Sequence, residues 1–189
     1  MTDSADWQVV CLSDVPPTPW RNGGGTTREL LAWPRADDWL WRVSVADVVQ
    51  SAPFSSFTGV QRWFAVLQGD GVCLTVDGHA TTLRCGDAPF AFGGGAATYC
   101  ELLGGATQDF NFMLQGQASG RMLRVSQGFE RVINTPKIIA AYSYKSCARV
   151  QFSNKKYLLN AYEMGWLPVA GQTTIRVNDG DVLLMEIDT

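Results

Sequence analysis

The chain has 189 residues, of which 46% are hydrophobic and 17% are charged, a composition typical of a globular protein with a sizeable core. The formal net charge of −3 disfavours nucleic acid as the main partner, because phosphate recognition needs a basic surface. The sequence contains neither an apolar run long enough to span a membrane nor the layout of a signal peptide. The five cysteines form no Cys-x-x-Cys pair, so we expect free thiols in a cytoplasmic protein.

The first distinctive stretch is a proline-rich approach that leads into Asn22 and the glycines Gly23–Gly25. Prolines keep the approach extended, and Asn and Gly allow backbone angles that other residues rarely adopt. A phosphate-binding loop would need a lysine after the glycines, and a dinucleotide fingerprint would need a third glycine where Arg28 stands. Two interpretations remain open: a tight turn that only joins two strands, or a loop that presents Arg21 and Asn22 at the mouth of a pocket.

The following segments alternate short β-branched and aromatic runs with Gly, Asp, Asn or Pro, which predicts an antiparallel sandwich or barrel. The Asp77-Gly78 dipeptide between two such runs is a strong hairpin signal. A similar pattern of strand, Gly-Asp corner and strand occurs around Gly86-Asp87 and again around Gly180-Asp181, which predicts two related lobes. Residues 126–137 have the character of a linker, and residues 137–143 are compatible with a strand or a short helix.

Alternation with a period of two gathers polar side chains on one face of several predicted strands. In a two-faced sheet such a face normally contacts water. The opposite face of residues 39–48 is rich in Trp and Val, however, and can supply the core. A small barrel can then turn its polar face inward to line a cavity, with Arg42 paired to Glu29 or Asp109. The residues of these faces are Thr27, Glu29 and Leu31 (with Arg28, Leu30 and Ala32 opposite), Arg42 and Ser44, and Asp109, Asn111 and Met113.

The chain contains few residues that could form a transition-metal site or a nucleophilic catalytic site. His79 is the single histidine, whereas a transition-metal site needs three or four converging ligands. We therefore expect no metal and no cofactor, with an all-carboxylate Mg or Ca site as the one alternative. A Ser-His-Asp triad would also depend on His79. Glu29 or Asp109 remains open as a general base, because burial can tune a carboxyl group towards neutral pH.

Several blocks between residues 19 and 113 occur in an order that resembles the HutD/Ves family of cupin-like bacterial proteins. From residue 121 onwards the likeness is only general, and Ala52-Pro53 replaces a pair that usually begins with glycine. The blocks are residues 19–29 (PWRNGGGTTRE), 41–46 (WRVSVA), 53–59 (PFSSFTG) with Arg62, 67–69 (LQG), 90–92 (FAF) and 109–113 (DFNFM).

The resemblance implies an all-β fold of the cupin type, a jelly-roll barrel built as two packed half-barrels, or bicupin. On this basis we expect an N-terminal lobe at residues 1–120 and a C-terminal lobe at residues 121–189. The family is associated with histidine utilisation in some members and with stress response in others. The resemblance further implies a metal-free protein that binds a small acidic metabolite, such as formylglutamate or urocanate, in a regulatory role.

In this hypothesis Arg42 and Arg62 bind the carboxylates of the ligand, while Glu29 and Asp109 orient the arginines. Directional hydrogen bonds come from Ser44, Asn111, Thr27 and Asn22, and the apolar wall consists of Phe54, Phe57, Phe92 and Met113. Two further hypotheses fit the same sequence. One is a metal-independent cupin isomerase or hydrolase that uses Glu29 or Asp109 as general base. The other is a protein–protein interaction module or homodimer, with seven tryptophans available for an interface.

Overall fold

The computed structural model describes residues 7–188 and consists almost entirely of β-strands. Within this range helical residues are confined to one 3-10 turn, Leu12–Asp14, and no helix has the length and hydropathy of a membrane span. The all-β prediction is therefore confirmed. The described chain forms two compact units, one made of residues 15–118 and the other of residues 7–14 together with residues 119–188.

The strands are numbered along the chain. They are β1 Gln8–Cys11, β2 Thr18–Pro19, β3 Gly25–Arg35, β4 Asp38–Val48, β5 Ala52–Pro53, β6 Gln61–Gln68, β7 Val72–Val76, β8 His79–Leu83, β9 Phe90–Gly93, β10 Thr98–Leu102, β11 Thr107–Leu114, β12 Ser119–Ser126, β13 Glu130–Ile133, β14 Lys137–Ser143, β15 Ala148–Phe152, β16 Lys155–Leu159, β17 Glu163–Val169, β18 Thr173–Asp179 and β19 Asp181–Asp188.

The unit of residues 15–118 contains a six-stranded sheet, ordered β2-β3-β4-β11-β6-β9, and a four-stranded sheet, ordered β5-β10-β7-β8. The predicted hairpin is confirmed, because β7 pairs with β8 and both turn residues, Asp77 and Gly78, have positive φ. Phe64 and Val66 of the larger sheet pack against Val72 and Leu74 of the smaller one. The two sheets of this unit therefore face each other across a shared interior.

A β-bulge at Leu30 changes the register between β3 and β4. Before the bulge the predicted faces are confirmed, since Glu29 lies opposite Ser44. After it Ala32 lies opposite Arg42, so Ala32 shares the face of Glu29. The simple alternation placed Ala32 on the other face together with Leu30, and that prediction is wrong. The extra residue of a bulge moves every later side chain to the other face, and alternation alone does not reveal it.

The other unit repeats the same topology. Its sheets are ordered β1-β17-β14-β19-β12 and β13-β18-β15-β16, so that β12 to β19 correspond one by one to β4 to β11. The predicted equivalence of Gly86-Asp87 and Gly180-Asp181 is nevertheless wrong. The first corner precedes β9 and the second precedes β19, which corresponds to β11. Both corners need a glycine at positive φ, so their likeness reflects local turn chemistry.

The chain divides differently from the expected lobes of residues 1–120 and 121–189. Strand β1 lies with the C-terminal residues because it pairs with β17, and residue 119 already begins β12. The expected linker at residues 126–137 is wrong in part, since β13 within it pairs with β18. This strand is short and begins with the charged residues Glu130 and Arg131, which conceals it in the sequence. Residues 137–143 form the strand β14.

The buried polar groups of the two units differ in how they are paired. In the second unit, β14, β15, β18 and β19 contribute an apolar cluster, and the buried carboxylate of β19, Glu186, forms ion pairs with both Arg121 and Arg131. On β11, the strand that corresponds to β19, Asp109 and Asn111 occupy buried positions, and Asp109 has no such cation within reach. The unit of residues 15–118 therefore holds a buried carboxyl group, Asp109, that forms no ion pair within the described chain.

The edge strand β1 is fixed to the second unit by an aromatic side chain as well as by its ladder. Trp7 stacks on Tyr157 at 4.9 Å between ring centroids and contacts Phe152 at 5.4 Å. The same ring lies over Gly165, where an added Cβ would stand 1.9 Å from the Cζ2 atom of Trp7. Gly165 is thus required because the indole occupies the space of a side chain.

Candidate ligand site

A cavity of about 760 Å³ opens in the unit of residues 15–118. Its outer end is bordered by exposed residues of the loop around Arg21 and Asn22. Its inner end is formed by the polar faces of β4, β6 and β11, where Ser44, Arg62 and Asn111 are each 5–6% exposed. The cavity therefore leads from solvent to a buried polar floor, which is a typical geometry for a small-molecule site.

Most of the predicted site residues line this one cavity, although their binding roles remain predictions. Glu29 and Phe92 are the exceptions. Glu29 forms an ion pair with Arg42, while Phe92 packs beside Arg62 and borders a second cavity of about 780 Å³ near β8. The predicted residues that line the first cavity are Asn22, Thr27, Arg42, Ser44, Arg62, Asp109 and Asn111, together with Phe54, Phe57 and Met113.

Arg62 is the most unusual cation of the cavity. Its Nη2 atom donates a hydrogen bond to the Oδ1 atom of Asn111 at 2.7 Å, and its Nε atom has no partner. The guanidinium carbon lies 4.9 Å and 5.1 Å from the ring centroids of Phe54 and Phe92. Burial lowers the pKa of Arg62 to about 10, with a further contribution from the positive charge of Arg42. The group is still charged at neutral pH, and no carboxylate of the described residues pairs with it.

Arg42 already has a carboxylate partner. Its Nε atom lies 2.6 Å from the Oε2 atom of Glu29, in an ion pair that is partly open to solvent. This pairing confirms one of the two partners expected from the sequence. The other expected partner, Asp109, forms no ion pair with an arginine among the described residues. The reason is register, since Asp109 lies opposite Ala46 and Val66, whereas both Arg42 and Arg62 lie opposite Met113.

Asp109 is a fully buried carboxyl group with one free oxygen. Its Oδ2 atom accepts a hydrogen bond from the hydroxyl of Thr107 at 2.8 Å, and its Oδ1 atom has no partner. Burial raises the pKa of Asp109 to about 7; the Thr107 hydrogen bond opposes this rise and the charge of Asp47 adds to it. The carboxyl therefore changes its protonation state near neutral pH.

The glycine-rich loop is organised by contacts of its own side chains. The Oδ1 atom of Asn22 accepts a hydrogen bond from the backbone of Gly24, and the indole N–H of Trp20 donates to the hydroxyl of Thr27 at 2.7 Å. An added Cβ on Gly25 would stand 2.3 Å from the backbone oxygen of Asp47, so only glycine allows this approach of β3 to β4. The loop is thus both a tight connection and the border of the cavity, which combines the two interpretations left open by the sequence.

Sequence reasoning missed several lining residues. Ala46 and Val48 continue the face of Arg42 and Ser44 at the same spacing, and Phe64 follows Arg62 by two residues. Period-two alternation could have found these three. Trp20, Pro53 and Ser55 carry no such signal, because they lie in or next to loops.

No three His, Cys, Asp or Glu side chains of the described chain come together in a group that could hold a metal ion. The five cysteines are free thiols, in agreement with the sequence-based expectation. Residues in the cavity instead offer guanidinium, amide, hydroxyl and carboxyl groups. Such groups recognise the oxygen atoms of an organic anion.

The two-sheet architecture with a polar cavity between the sheets defines a cupin-like protein. A Cupin 2 conserved barrel domain protein from Leptotrichia buccalis shares this fold with a TM-score of 0.58 at 8% identity, covering 95% of each chain. The family model HutD matches residues 12–185, so the chain belongs to the HutD family.

Individual relatives agree with this assignment. An uncharacterized 21.2 kDa protein from the hutC 3′ region of Pseudomonas putida is 35% identical over 151 residues, which cover 79% of this chain and 80% of that protein. Protein Ves of Cronobacter sakazakii is 30% identical over 179 residues, 93% of this chain and 96% of that protein. Both resemblances extend well beyond the blocks noted in the sequence.

Two solved structures cover nearly the whole chain. A conserved protein of unknown function from Pseudomonas aeruginosa PAO1 gives a TM-score of 0.89 at 28% identity, with 98% of this chain and 100% of that chain covered. HutD from Pseudomonas fluorescens SBW25, in a formate condition, gives a TM-score of 0.80 at 29% identity, covering 96% of this chain and 98% of that chain.

Proposed function

We propose that the protein binds a small carboxylate metabolite in the cavity around Arg62 and acts, without a metal, as a regulator in histidine utilisation or a stress response. The observation that carries this proposal is the buried guanidinium of Arg62, which is charged and has no carboxylate partner among the described residues. A buried charge is costly unless it is paired, so an anionic ligand is the natural partner. The location of a relative in the hutC region supports the connection with histidine breakdown.

Recognition of the ligand follows from the residues around Arg62. The guanidinium has donors left beyond the one used by Asn111, so it can bind a carboxylate with two parallel hydrogen bonds. Ser44 supplies a hydroxyl nearby, and Phe54 provides part of an apolar wall. Arg42 reinforces the positive potential while its own carboxylate partner holds its side chain. Formylglutamate and urocanate both carry a carboxylate and are the candidate ligands.

A second candidate function is acid–base catalysis without a metal. The observation that favours it is Asp109, a buried carboxyl with a pKa raised to about 7 on the cavity wall. A general base poised near neutral pH is suited to proton transfer. Glu29 is the weaker choice for this role, because it is paired with Arg42 and does not line the cavity.

A thermal-shift screen tests the proposal directly. The panel contains formylglutamate, urocanate, formate, several dicarboxylates and divalent metal ions. A ligand at about a hundred times its Kd stabilises a protein by about 2.7 kcal/mol, which raises the Tm by several degrees. Stabilisation by a carboxylate that is lost in Arg62→Ala supports the proposal. Stabilisation by metal ions alone, or by nothing in the panel, contradicts it.

Turnover separates the two candidate functions. Each stabilising compound is incubated with the protein and followed by NMR for chemical change. Conversion that disappears in Asp109→Asn, while binding persists, identifies an enzyme. Binding without conversion is the result expected of a regulator.

A further inference from the structure

One oxygen atom of the Asp109 carboxyl group has no hydrogen-bond partner. Asp109 is 0% exposed, its Oδ2 atom is occupied by Thr107, and its Oδ1 atom has no partner, yet the residue lines the cavity. Leaving a buried polar atom unsatisfied costs about 1–3 kcal/mol. An unsatisfied atom of this kind on the wall of a cavity is available to bond a polar atom of a ligand.

The groups around Asp109 leave its charge largely uncompensated. Strand β4 contributes Arg42 and Asp47, of which Arg42 is paired with Glu29 of β3 and Asp47 with Arg28. Strand β6 contributes Arg62, which bonds Asn111. Strands β10 and β7 contribute Cys100 and Cys73. Burial raises the pKa of Cys100 to about 12, with Asp109 adding to the rise, so this thiol stays neutral.

We propose that Asp109, as a neutral carboxylic acid, is a second ligand-binding group that donates a hydrogen bond from Oδ1 to an acceptor oxygen of the bound anion, so that the anion and one proton are bound together. This inference rests on the proposed function. The hydroxyl of Thr107 donates to Oδ2, which leaves Oδ1 as the oxygen that carries the proton. A pKa near 7 makes the protonated form available under physiological conditions.

Charge explains why the proton is needed. With Arg42 matched by Glu29, the cavity floor carries the single positive charge of Arg62 when Asp109 is neutral. Ionised Asp109 brings the net charge of the cavity floor to zero and directs a bare carboxylate oxygen at any anion that enters. Buried groups interact strongly, since the effective dielectric constant is far below that of water. The protonated form therefore binds anions and the ionised form excludes them.

The same geometry defines the class of ligand. Asp109 and Asn111 are two residues apart on β11, a spacing of about 7 Å along a strand. Because Arg62 bonds Asn111, the ligand should present a carboxylate to Arg62 and a second acceptor oxygen roughly 7 Å away to Asp109. A short dicarboxylate, or an acid with a carbonyl at its other end, meets this requirement.

Isothermal titration calorimetry tests the inference with formylglutamate and glutarate as probes, whose carboxylates stay ionised throughout the range. Urocanate is unsuitable because its imidazole titrates. Each probe is titrated between about pH 6 and about pH 8.5 in buffers of different ionisation enthalpy, which counts the protons taken up on binding. The proteins are the wild type, Asp109→Asn and Thr107→Val.

We expect the wild-type affinity to fall about tenfold for each pH unit above the pKa of Asp109, with close to one proton taken up per anion at the high end. The Asp109→Asn variant keeps a hydrogen-bond donor that cannot titrate, so its affinity should stay at the low-pH value throughout, with no proton uptake. Thr107→Val removes the hydrogen bond that favours the ionised form and should move the midpoint to higher pH.

The outcomes separate this inference from the proposed function. If wild-type protein binds neither probe even at about pH 6, the carboxylate-binding function itself is contradicted, and the inference fails with it. If the wild type binds a probe with the same affinity across the range, or takes up no proton, only the role of Asp109 is overturned. An Asp109→Asn profile that retains the wild-type slope has the same meaning.

Discussion

Arg42 and Arg28 hold carboxylates on opposite faces of the same pair of strands, and the two ion pairs match in length and exposure. Arg42 lies 2.6 Å from Glu29 and is 24% exposed, while Arg28 lies 2.6 Å from Asp47 and is 26% exposed. Of these two arginines, Arg42 lines the cavity and Arg28 does not. Arg28 is therefore a matched control for Arg42, because the two arginines have the same charge, similar ion pairs and similar exposure, and differ in whether they line the cavity.

Arg42→Ala should weaken binding of a carboxylate by about tenfold, because it removes a positive charge that lines the cavity and leaves the carboxylate of Glu29 without its partner. Arg28→Ala should leave the affinity within about twofold of the wild type, since that side chain lies outside the site. Both variants should lose at most about 1 kcal/mol of stability, as expected for partly exposed ion pairs. Calorimetry and urea unfolding measure the two quantities. Equal affinities in both variants would remove Arg42 from the site.

Glu29→Gln should strengthen anion binding severalfold. The substitution removes the negative charge that now occupies the Nε side of Arg42, and it leaves the guanidinium free to turn towards the ligand. The free energy of unfolding should change by less than about 1 kcal/mol. Titration of wild-type and variant protein with formylglutamate provides the comparison. A catalytic role for Glu29 predicts the opposite pattern, with binding preserved and turnover lost.

Asp109→Asn should make the protein more stable at alkaline pH. The pKa of Asp109 is about 7 in the folded chain and about 3.9 when unfolded, so between these values the folded state holds a proton that the unfolded state has released. Raising the pH through this window therefore favours unfolding of the wild type, by up to a few kcal/mol. The variant lacks this loss. Urea unfolding from about pH 5 to about pH 8 should show the two stabilities diverging with pH, whereas parallel curves would contradict the burial of an uncompensated carboxyl group.

Trp7→Ala should destabilise the unit that contains β1 by about 2–4 kcal/mol, because the indole stacks on Tyr157 and fills the space above Gly165. Gly165→Ala should also destabilise it, since the new methyl group displaces the same ring. The double variant should cost little more than Trp7→Ala alone, since both single changes disrupt one contact. Urea unfolding of the four proteins gives the coupling energy, and strict additivity would show that the ring and the glycine act independently.

Alternation in the sequence was sufficient to predict the polar faces of β4 and β11 and to name Glu29 as one of two possible partners of Arg42. It could not predict which residues of neighbouring strands lie opposite each other. That register places Asp109 beside Ala46 and Val66 and leaves it without an arginine. The bulge on β3 was not predictable for a similar reason, because one extra residue moves the later side chains to the other face without changing the composition of the strand.

Pairing between strands that are distant in the sequence could not be predicted from local patterns either. The pairing of β1 with β17 joins residues as distant in sequence as Gln8 and Trp166, and nothing in either strand specifies the other. The Gly-Asp corners misled for the converse reason, because turn chemistry recurs wherever a chain reverses. Phe92 was predicted in the apolar wall of the ligand site, but it packs beside Arg62 and borders the second cavity. The sequence pattern shows that such a residue is apolar, but it does not show which cavity or core the side chain faces.

The pairing of β1 with β17 has a consequence for folding during synthesis on the ribosome. Gln8 is made long before its partner Trp166. Residues 15–118 form a continuous unit and can complete their sheets while translation continues. The edge strand must wait until the last sheet exists. A nascent chain whose residues 15–118 have just left the ribosome should therefore hold a finished ligand cavity and an unpaired β1 at the same time, and protease should remove that strand first.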